Sequence, residues 1–183
     1  MKKSLFAGLI LTTLSLPSFA TEVDIQTNLG TIRVDLKEQE APQTVKNFLR
    51  YVDEGFYEGL IFHRVIKGFM VQGGGFDKDL DRQKTHRAIA YEGDNDLYNY
   101  RGTLAMARTN DPNSATSQFF INLVDNEFLN HGAQGRAGYA VFGDVISGLD
   151  VVDNIAQVPT RTVGPYQNVP STPVTIEKIT RVN

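Results

Sequence analysis

Apolar and polar residues alternate in two neighbouring stretches near the start of the chain, residues 22–27 and 31–36. Successive side chains of a strand point to opposite faces, so a period of two predicts two strands with one buried face each. Asn28-Leu29-Gly30 lies between them and supplies the turn residues of a hairpin. The chain is therefore predicted to begin its fold with a β-hairpin whose apolar positions are Val23, Ile25, Ile32, Val34 and Leu36.

Two later stretches have the longer period of a helix. Pro42 opens the first, at a position where the missing N–H is not needed, and Gly55 follows as a stop signal. The apolar residues between them are spaced as on one helix face: Val45, Phe48, Leu49 and Val52. Leu149–Ile155 predicts a second, shorter helix.

Short apolar runs occupy much of the remaining chain and predict further strands: Leu60–Val65, Phe69–Gln72, Thr103–Ala107, Gln118–Leu123 and Ala140–Ile146. Pro173–Arg181 predicts the last strand. Many short strands, two helices and glycine-rich connections indicate a mostly antiparallel barrel or sandwich capped by helices. Asp77–Arg101 is polar without clear periodicity, and unstructured loops of this length in compact domains are usually functional.

The first twenty residues have the features of a cleavable secretory signal peptide. Lys2 and Lys3 give a positive start, Leu5–Leu16 is apolar, and Ser18-Phe19-Ala20 provides small residues for a cleavage site. A membrane-spanning helix needs roughly 20 apolar residues, so an uncleaved anchor is the weaker interpretation. We therefore divide the chain into a leader, residues 1–20, and one exported domain, residues 21–183.

Charge and cysteine content narrow the function of this domain. Loss of Lys2 and Lys3 would change the formal net charge from −3 to −5, and no basic run stands out, which argues against a nucleic-acid partner. The chain has no cysteine, so no disulfide framework supports the fold. We expect a soluble single domain, stabilised by its core alone, without a membrane partner after cleavage.

Motifs for phosphate, metal and covalent chemistry are missing from the sequence. Gly73-Gly74-Gly75 lacks the lysine and the helix of a phosphate loop, and instead predicts a sharp turn or a close approach of the backbone. His63, His86 and His131 are scattered without carboxylates at ligand spacing, so no metal site is expected. No nucleophile motif is present. An enzyme with this sequence would act by binding and electrostatics, without a metal or cofactor.

Arg64 lies among apolar residues, between Phe62 and the Val65-Ile66 pair, where a charge is costly to bury unless it is paired or hydrogen-bonded. It could point outward or pair with a carboxylate, or it could face a functional pocket. The nearby aromatic and amide residues are compatible with a pocket or with ordinary core. The pattern alone leaves both interpretations open.

Four segments together resemble the cyclophilin-type peptidyl-prolyl isomerases: "FHRVIKGFMVQGG" (62–74), "RGTLAMAR" (101–108), "SQFFI" (117–121) and "GYAVFGDVISGLDVVD" (138–153). They occur in the family's order over nearly the whole chain after the leader. With the leader, the sequence most resembles the periplasmic cyclophilins of Gram-negative bacteria. The resemblance implies a closed antiparallel eight-stranded barrel capped by two α-helices, in a periplasmic or, as the second possibility, secreted protein.

The resemblance also implies roles for individual residues. Arg64 matches the catalytic arginine, which would stabilise the twisted amide without a covalent step, and Gln72 matches a group that holds it. His63 matches a residue that is structural rather than proton-transferring. The positions that match the substrate-binding residues are Phe69, Met70, Ala107, Arg108, Gln118, Phe120, Phe128, Leu129 and Tyr139.

A prolyl isomerase that assists the folding of exported proteins is the function the resemblance implies, with proline-containing polypeptides as partners and a monomer as the default state. The alternative is a non-catalytic chaperone or adaptor that binds proline peptides. Arg64 argues against the alternative, because holding a proline does not require that cation.

Four positions depart from the family's common pattern. Phe128 stands where many members have tryptophan, which predicts weak cyclosporin binding with little loss of isomerase activity. Tyr139 replaces a common histidine, and Arg108 replaces a common asparagine, which leaves the residue preference before proline open. Gly75 gives "QGGG" where "QGGD" is more usual, and the sequence offers no reason for it.

Overall fold

The structure, a computed structural model, describes residues 21–182. The predicted leader, residues 1–20, and the terminal Asn183 lie outside the described residues. The strands are β1 Thr21–Thr27, β2 Gly30–Leu36, β3 Arg64–Ile66, β4 Met70–Gly73, β5 Thr103–Met106, β6 Phe119–Asn122, β7 Val141–Ser147, β8 Thr160–Val163, β9 Tyr166–Pro170 and β10 Ile176–Val182. The α-helices are α1 Pro42–Asp53 and α2 Leu149–Ile155, and three short 3-10 helices span Pro112–Ser114, Glu127–Leu129 and Ala133–Gly135.

Eight of these strands form one antiparallel sheet in the order β10-β1-β2-β7-β5-β6-β4-β3, while β8 and β9 pair as a separate hairpin. The sheet curls into a half-barrel. This half-barrel stays open because its edge strands β3 and β10 do not pair with each other. The expected closed eight-stranded barrel is therefore wrong. The expected mostly β fold with two α-helices is confirmed.

The gap between the two edges has a local cause. The segment before β3 contacts the segment before β10 through single backbone bonds, Phe62 N to Val174 O at 2.9 Å and Ile176 N to Leu60 O at 2.7 Å. A single bridge, between Ile61 and Thr175, is all the strand pairing that results there. Pro173 has no N–H to donate, and β3 is only three residues long, so the contact does not extend into a ladder.

Strands β3 to β6 have apolar residues on both of their faces. Alternate residues such as Val65, Val71 and Leu104 belong to the main core, which α1 covers. Met70 belongs to a second, smaller apolar cluster on the opposite face, together with Phe120, Ala105, Leu129 and Val141, and Ile66 packs against it. The period of two in a strand therefore gives this part of the sheet a core side and a side on which a site can be built.

The polar segment before β5 supplies the missing cap of α1. Ala41 makes no side-chain capping bond, and Pro42 begins the helix. The carboxylate of Glu92 instead accepts hydrogen bonds from Gln43 N at 3.1 Å and Thr44 N at 2.7 Å. A negative group at a helix N-terminus is favourable, because the free N–H groups there carry partial positive charge. The segment thus has a structural role in holding α1.

Several predicted elements are confirmed in type and position, namely the first hairpin, α1 and α2. Helix α2 has the predicted bounds, Leu149–Ile155. The run at residues 60–65 becomes a strand only at Arg64–Ile66, and the β8–β9 hairpin has no counterpart in the prediction. In the described part of the chain, neither α-helix combines the length and the apolar composition needed to cross a membrane.

Candidate active site

Strand register brings Arg64 beside Gln72. The two residues are cross-strand partners in the β3–β4 ladder, and Gln72 is in turn the partner of Phe120 in the β4–β6 ladder. Side chains directly opposite each other in an antiparallel pair lie on the same face. The register therefore places a cation, an amide and an aromatic ring in a row on the face opposite the main core.

A cavity of about 280 Å³, called the first cavity below, opens on this face. Its lining consists of nine residues, all of which the sequence had singled out: Arg64, Phe69, Met70, Gln72, Ala107, Arg108, Phe120, Leu129 and Tyr139. The structure thus brings together residues from five separate stretches of the sequence. Met70, Phe120 and Leu129 are buried, whereas Arg64 and Gln72 are partly exposed at the rim.

Gln118 and Phe128 are the two predicted site residues that do not line the first cavity. Phe128 is 52% exposed and stacks on Phe69, with ring centroids 5.7 Å apart and planes inclined by 23°. Gln118 lies behind the rim and contacts Gln72. Both residues therefore border lining residues rather than the cavity itself.

Arg64, Gln72 and Gln118 form a line of hydrogen-bonded side chains, called the polar row below. Arg64 Nη1 donates to Gln72 Oε1 over a long 3.4 Å, and Gln72 Nε2 donates to Gln118 Oε1 at 3.0 Å. Within residues 21–182, Arg64 makes no ion pair with a carboxylate. The guanidinium is oriented by an amide, so its positive charge faces the cavity without a carboxylate to neutralise it.

Gly75 makes room for the end of this row. A Cβ atom at Gly75 would lie 2.4 Å from Gln118 Cγ and 2.5 Å from Gln118 Nε2, distances that atoms in contact do not adopt. Gly73 and Gly74 are crowded as well, because a Cβ there would lie 3.0 Å from Ile61 O and from Ser117 O, respectively. The expected close approach of the backbone is therefore confirmed, and the "QGGG" departure has a physical reason.

Arg108 holds one wall of the first cavity. Its Nε donates to Gly138 O at 2.8 Å, and its guanidinium lies over the ring of Tyr139, 4.6 Å from the centroid. Tyr139 in turn meets Phe120 edge to face, with centroids 5.6 Å apart. A cation over an aromatic ring is an attractive contact, so Arg108 fixes the Tyr139 ring in place.

A second cavity of about 260 Å³ adjoins the first. Gln72, Ala107 and Arg108 line both cavities, and Gln118, the end of the polar row, lines the second. The two cavities therefore share one wall. The other lining residues of the second cavity had no sequence signal of their own: Phe76, Arg82, Thr109, Ser114 and Thr116. Arg82 lies in the polar 77–101 segment, and the length of that segment was the feature of the sequence that could have pointed to it.

His63 lines neither cavity. Its side chain is buried, its ring centroid is 4.6 Å from that of Phe76, and its Nδ1 has no hydrogen-bond partner. Burial, and secondarily the charge of Arg64, lower the pKa of His63 to about 4. The imidazole is therefore neutral at pH 7, and it lies outside the cavity in which a proton could be transferred.

Elsewhere on the molecule, two cations that line a groove are paired with carboxylates. A wider groove of about 660 Å³ runs between α1 and the end of β10, but Arg181 there is paired with Asp53 at 2.6 Å and Arg50 with Glu54 at 3.0 Å. No group of three or more His, Cys, Asp or Glu residues in the described chain is arranged to hold a metal ion. In the first cavity, by contrast, Arg64 adjoins an apolar surface without a carboxylate partner among the described residues.

The family is decided by comparison with known proteins. The family model described as "Cyclophilin type peptidyl-prolyl cis-trans isomerase/CLD" matches residues 22–181. The chain belongs to the cyclophilin family of peptidyl-prolyl cis-trans isomerases. It is accordingly an enzyme of the class that interconverts cis and trans X–Pro peptide bonds.

Two bacterial relatives illustrate the likeness. The chain is 54% identical over 185 residues to "Peptidyl-prolyl cis-trans isomerase A" of Dickeya dadantii (strain 3937), covering 97% of this chain and 96% of the relative. It is 52% identical over 160 residues to "Peptidyl-prolyl cis-trans isomerase B" of Escherichia coli (strain K12), covering 86% and 98%. In both cases the cyclophilin domain is matched over almost the full length of the relative.

Solved structures agree with the fold. A cyclophilin-type isomerase of Cryptosporidium parvum superposes with a TM-score of 0.76 at 28% identity, covering 90% of this chain and 99% of that one. A structure of the same protein in the presence of the dipeptide Ala-Pro gives a TM-score of 0.75 at 29% identity, covering 88% and 99%.

Proposed function

We propose that this cyclophilin rotates X–Pro bonds by a non-covalent mechanism in which Arg64 stabilises the twisted amide while the first cavity holds the proline ring. The observation that carries the proposal is the guanidinium of Arg64, oriented by Gln72 at the rim of an apolar cavity. Gln72 and Gln118 hold the arginine, and the rest of the cavity lining binds the substrate.

The chemistry follows from the nature of the peptide bond. Its nitrogen shares a lone pair with the carbonyl group, which gives rotation a barrier of about 18–20 kcal/mol. When the bond is twisted, this conjugation is lost and the proline nitrogen regains a lone pair that accepts a hydrogen bond. The planar ground state accepts such a bond poorly. A donor placed at that nitrogen therefore stabilises the transition state selectively, and selective stabilisation is what raises the rate.

Arginine suits this role for two reasons. It stays charged at any working pH, and its planar fork is held in orientation by neighbours such as Gln72. The apolar lining anchors the proline ring by Phe69, Phe120 and Leu129 while the preceding residue turns. It also reduces the access of water, which strengthens the field of the guanidinium.

We further propose that the substrates are proline-containing segments of unfolded polypeptides in the periplasm and that the protein acts as a monomer. The leader-like residues 1–20 support export. Fractionation of a Gram-negative host, with N-terminal sequencing of the product, should give a periplasmic protein that begins at Thr21. A protein retained in the cytoplasm with its leader intact would contradict this.

Weak cyclosporin binding is also proposed, because Phe128 stands where a tryptophan is common and projects into solvent. An inhibition constant below the micromolar range would contradict it.

Turnover by wild type and Arg64→Ala tests the mechanism. Conversion of a short Ala-Pro peptide should be accelerated by wild type, and Arg64→Ala should lower kcat/KM roughly 100- to 1,000-fold, as for the loss of one transition-state donor. Arg161→Ala is the matched control, because Arg161 is exposed on β8 and lines neither cavity. Equal rates for wild type and Arg64→Ala would remove Arg64 from the mechanism. No acceleration by wild type, with peptide binding intact, would favour the non-catalytic binding protein.

A further inference from the structure

Three asparagines are buried behind the first cavity. The side chains of Asn99 and Asn122 are fully buried, and Asn126 is 2% exposed. Burying an amide costs free energy unless its donors and acceptor find partners. None of these residues lines the cavity, and none has a place in the mechanism described above. The hydrogen-bond partners of the three asparagines therefore indicate which parts of the protein they hold in place.

The three amides are joined into one chain of hydrogen bonds, called the asparagine chain below. Asn126 Nδ2 donates to Asn122 Oδ1 at 2.8 Å. Asn122 Nδ2 donates to Asn99 Oδ1 at 3.2 Å and to Thr103 Oγ1 at 2.9 Å. Asn126 N also donates to Asn99 O at 2.7 Å, so side chains and backbone connect the same residues.

Both ends of the asparagine chain terminate on the main chain of cavity residues. At one end, Asn126 Nδ2 donates to Phe69 O at 3.0 Å. At the other end, Asn99 Nδ2 donates to Leu129 O at 3.2 Å and to Tyr139 O at 3.3 Å. Phe69, Leu129 and Tyr139 all line the first cavity, and they are called the apolar wall below.

The apolar wall needs such support because its residues lie outside the strands of the sheet. Phe69 lies in the turn between β3 and β4, Leu129 ends a 3-10 helix, and Tyr139 lies just before β7. Main-chain bonds such as Tyr139 N to Leu129 O at 2.9 Å join neighbouring segments. The asparagine chain is hydrogen-bonded to all three segments and so ties them together.

We propose that Asn99, Asn122 and Asn126 are positioning residues that set the shape of the first cavity and hence its affinity for a proline ring. The proposal rests on the proposed function in one respect, that the first cavity holds the proline. A purely structural role would affect stability alone, because every buried amide with satisfied hydrogen bonds contributes to stability. A positioning role would also change peptide affinity in protein that is fully folded.

The test compares Asn126→Ala and Asn99→Ala with Thr27→Val. Thr27 is buried, and its hydroxyl donates to Gly30 O at 2.7 Å and accepts from Leu29 N at 3.1 Å, in the hairpin away from both cavities. The dissociation constant of an Ala-Pro tetrapeptide is measured by NMR titration at a temperature at which circular dichroism shows each variant folded. KM, kcat and the thermal midpoint are measured alongside.

Both asparagine variants should weaken peptide binding and raise KM about tenfold, with kcat within about twofold of wild type, because wall contacts act in ground state and transition state alike. Thr27→Val should lower the thermal midpoint without changing affinity. If Asn126→Ala gives no folded protein, Asn126→Ser, which removes less of the side chain, is measured in the same way.

Unchanged affinity in the asparagine variants, with a lowered thermal midpoint, would overturn the proposal and leave these residues a structural role. The outcome is separable from that of the proposed function, because titration measures binding without turnover. A wild type that binds the peptide but does not turn it over would contradict only the catalytic mechanism.

Discussion

On one side of the first cavity, Arg64 and Gln72 project from paired strands, and the β3–β4 register fixes their separation. On the other side, the apolar wall of Phe69, Leu129 and Tyr139 comes from connecting segments that buried amides tie together. The pairing of β3 with β4 thus sets the positions of Arg64 and Gln72 in the polar row. The apolar wall acquires its geometry from side-chain hydrogen bonds that a single substitution can remove.

The two sides should also differ in the kinetic constant that they control. A guanidinium that bonds well only to the twisted amide acts on the transition state and governs kcat. An apolar wall that contacts the proline ring in both states governs binding and so KM. Variants on the two sides should therefore give different kinetic signatures, and the predictions below use this difference.

The largest effect on the apolar side is expected for Phe69→Ala, with Phe128→Ala as its matched control. The two rings stack on each other, but Phe69 lines the first cavity and Phe128 is half exposed outside it. Loss of the Phe69 ring should raise KM roughly 10- to 100-fold, because an aromatic side chain buries a large apolar area against its ligand. Phe128→Ala should change KM by less than about threefold. Steady-state kinetics with one Ala-Pro peptide measures both.

Equal effects of the two variants would show that Phe128 takes part in binding directly, as the family resemblance implies. Thermal midpoints of both variants control for a general loss of structure.

A smaller effect, on kcat, is expected on the polar side for Gly75→Ala. The new Cβ would occupy the position of the Gln118 side chain, which would move and release Gln72 and then Arg64. We expect kcat to fall about tenfold with KM little changed, since a displacement of about one ångström in a positioning group has large effects on rate.

A double-mutant cycle with Gln118→Ala identifies the cause of this loss. In the Gln118→Ala background the crowding atoms are absent, so Gly75→Ala should cost little more activity, and the two effects should not add. Additive losses would show that Gly75 acts by some route other than Gln118.

The sequence identified the residues of the polar row and of the apolar wall, but not the asparagine chain behind the wall, and the reason is physical. Arg64, Gln72 and Phe120 lie in short contiguous motifs, and strand pairing with a period of two fixes which of their side chains share a face. Asn99 and Asn126 are polar residues in irregular segments, which in a sequence have the appearance of solvent-exposed loop residues. Their burial depends on contacts between segments far apart in the chain.

The remaining differences have similar causes. The open edge of the sheet depends on the contact between the segments before β3 and β10, which are far apart in the chain. The β8–β9 hairpin was missed because β8 is exposed at Thr160, Arg161 and Thr162 and so has no alternating apolar face to detect. Phe128 was assigned to the site by the family resemblance; its ring is half exposed and stacks on Phe69, so a role in binding stays a prediction.

Between pH 6 and 8 the smallest effect of all is expected, because no histidine or carboxylate among the described residues lines either cavity. Activity should be flat in this range.

The stability of the fold should decrease below pH 6, because burial lowers the pKa of His63 from 6.5 to about 4 in the folded protein. As the pH falls from 6.5 to 4, the unfolded chain gains a proton that the folded protein does not, which costs up to about 3 kcal/mol of stability. Urea unfolding at pH 7.5 and 4.5 should show this loss in wild type and a smaller one in His63→Gln. An equal loss in both would assign the acid sensitivity to carboxylates instead. Asp53 is an example, because the hydrogen bond that it accepts from Arg181 lowers its pKa.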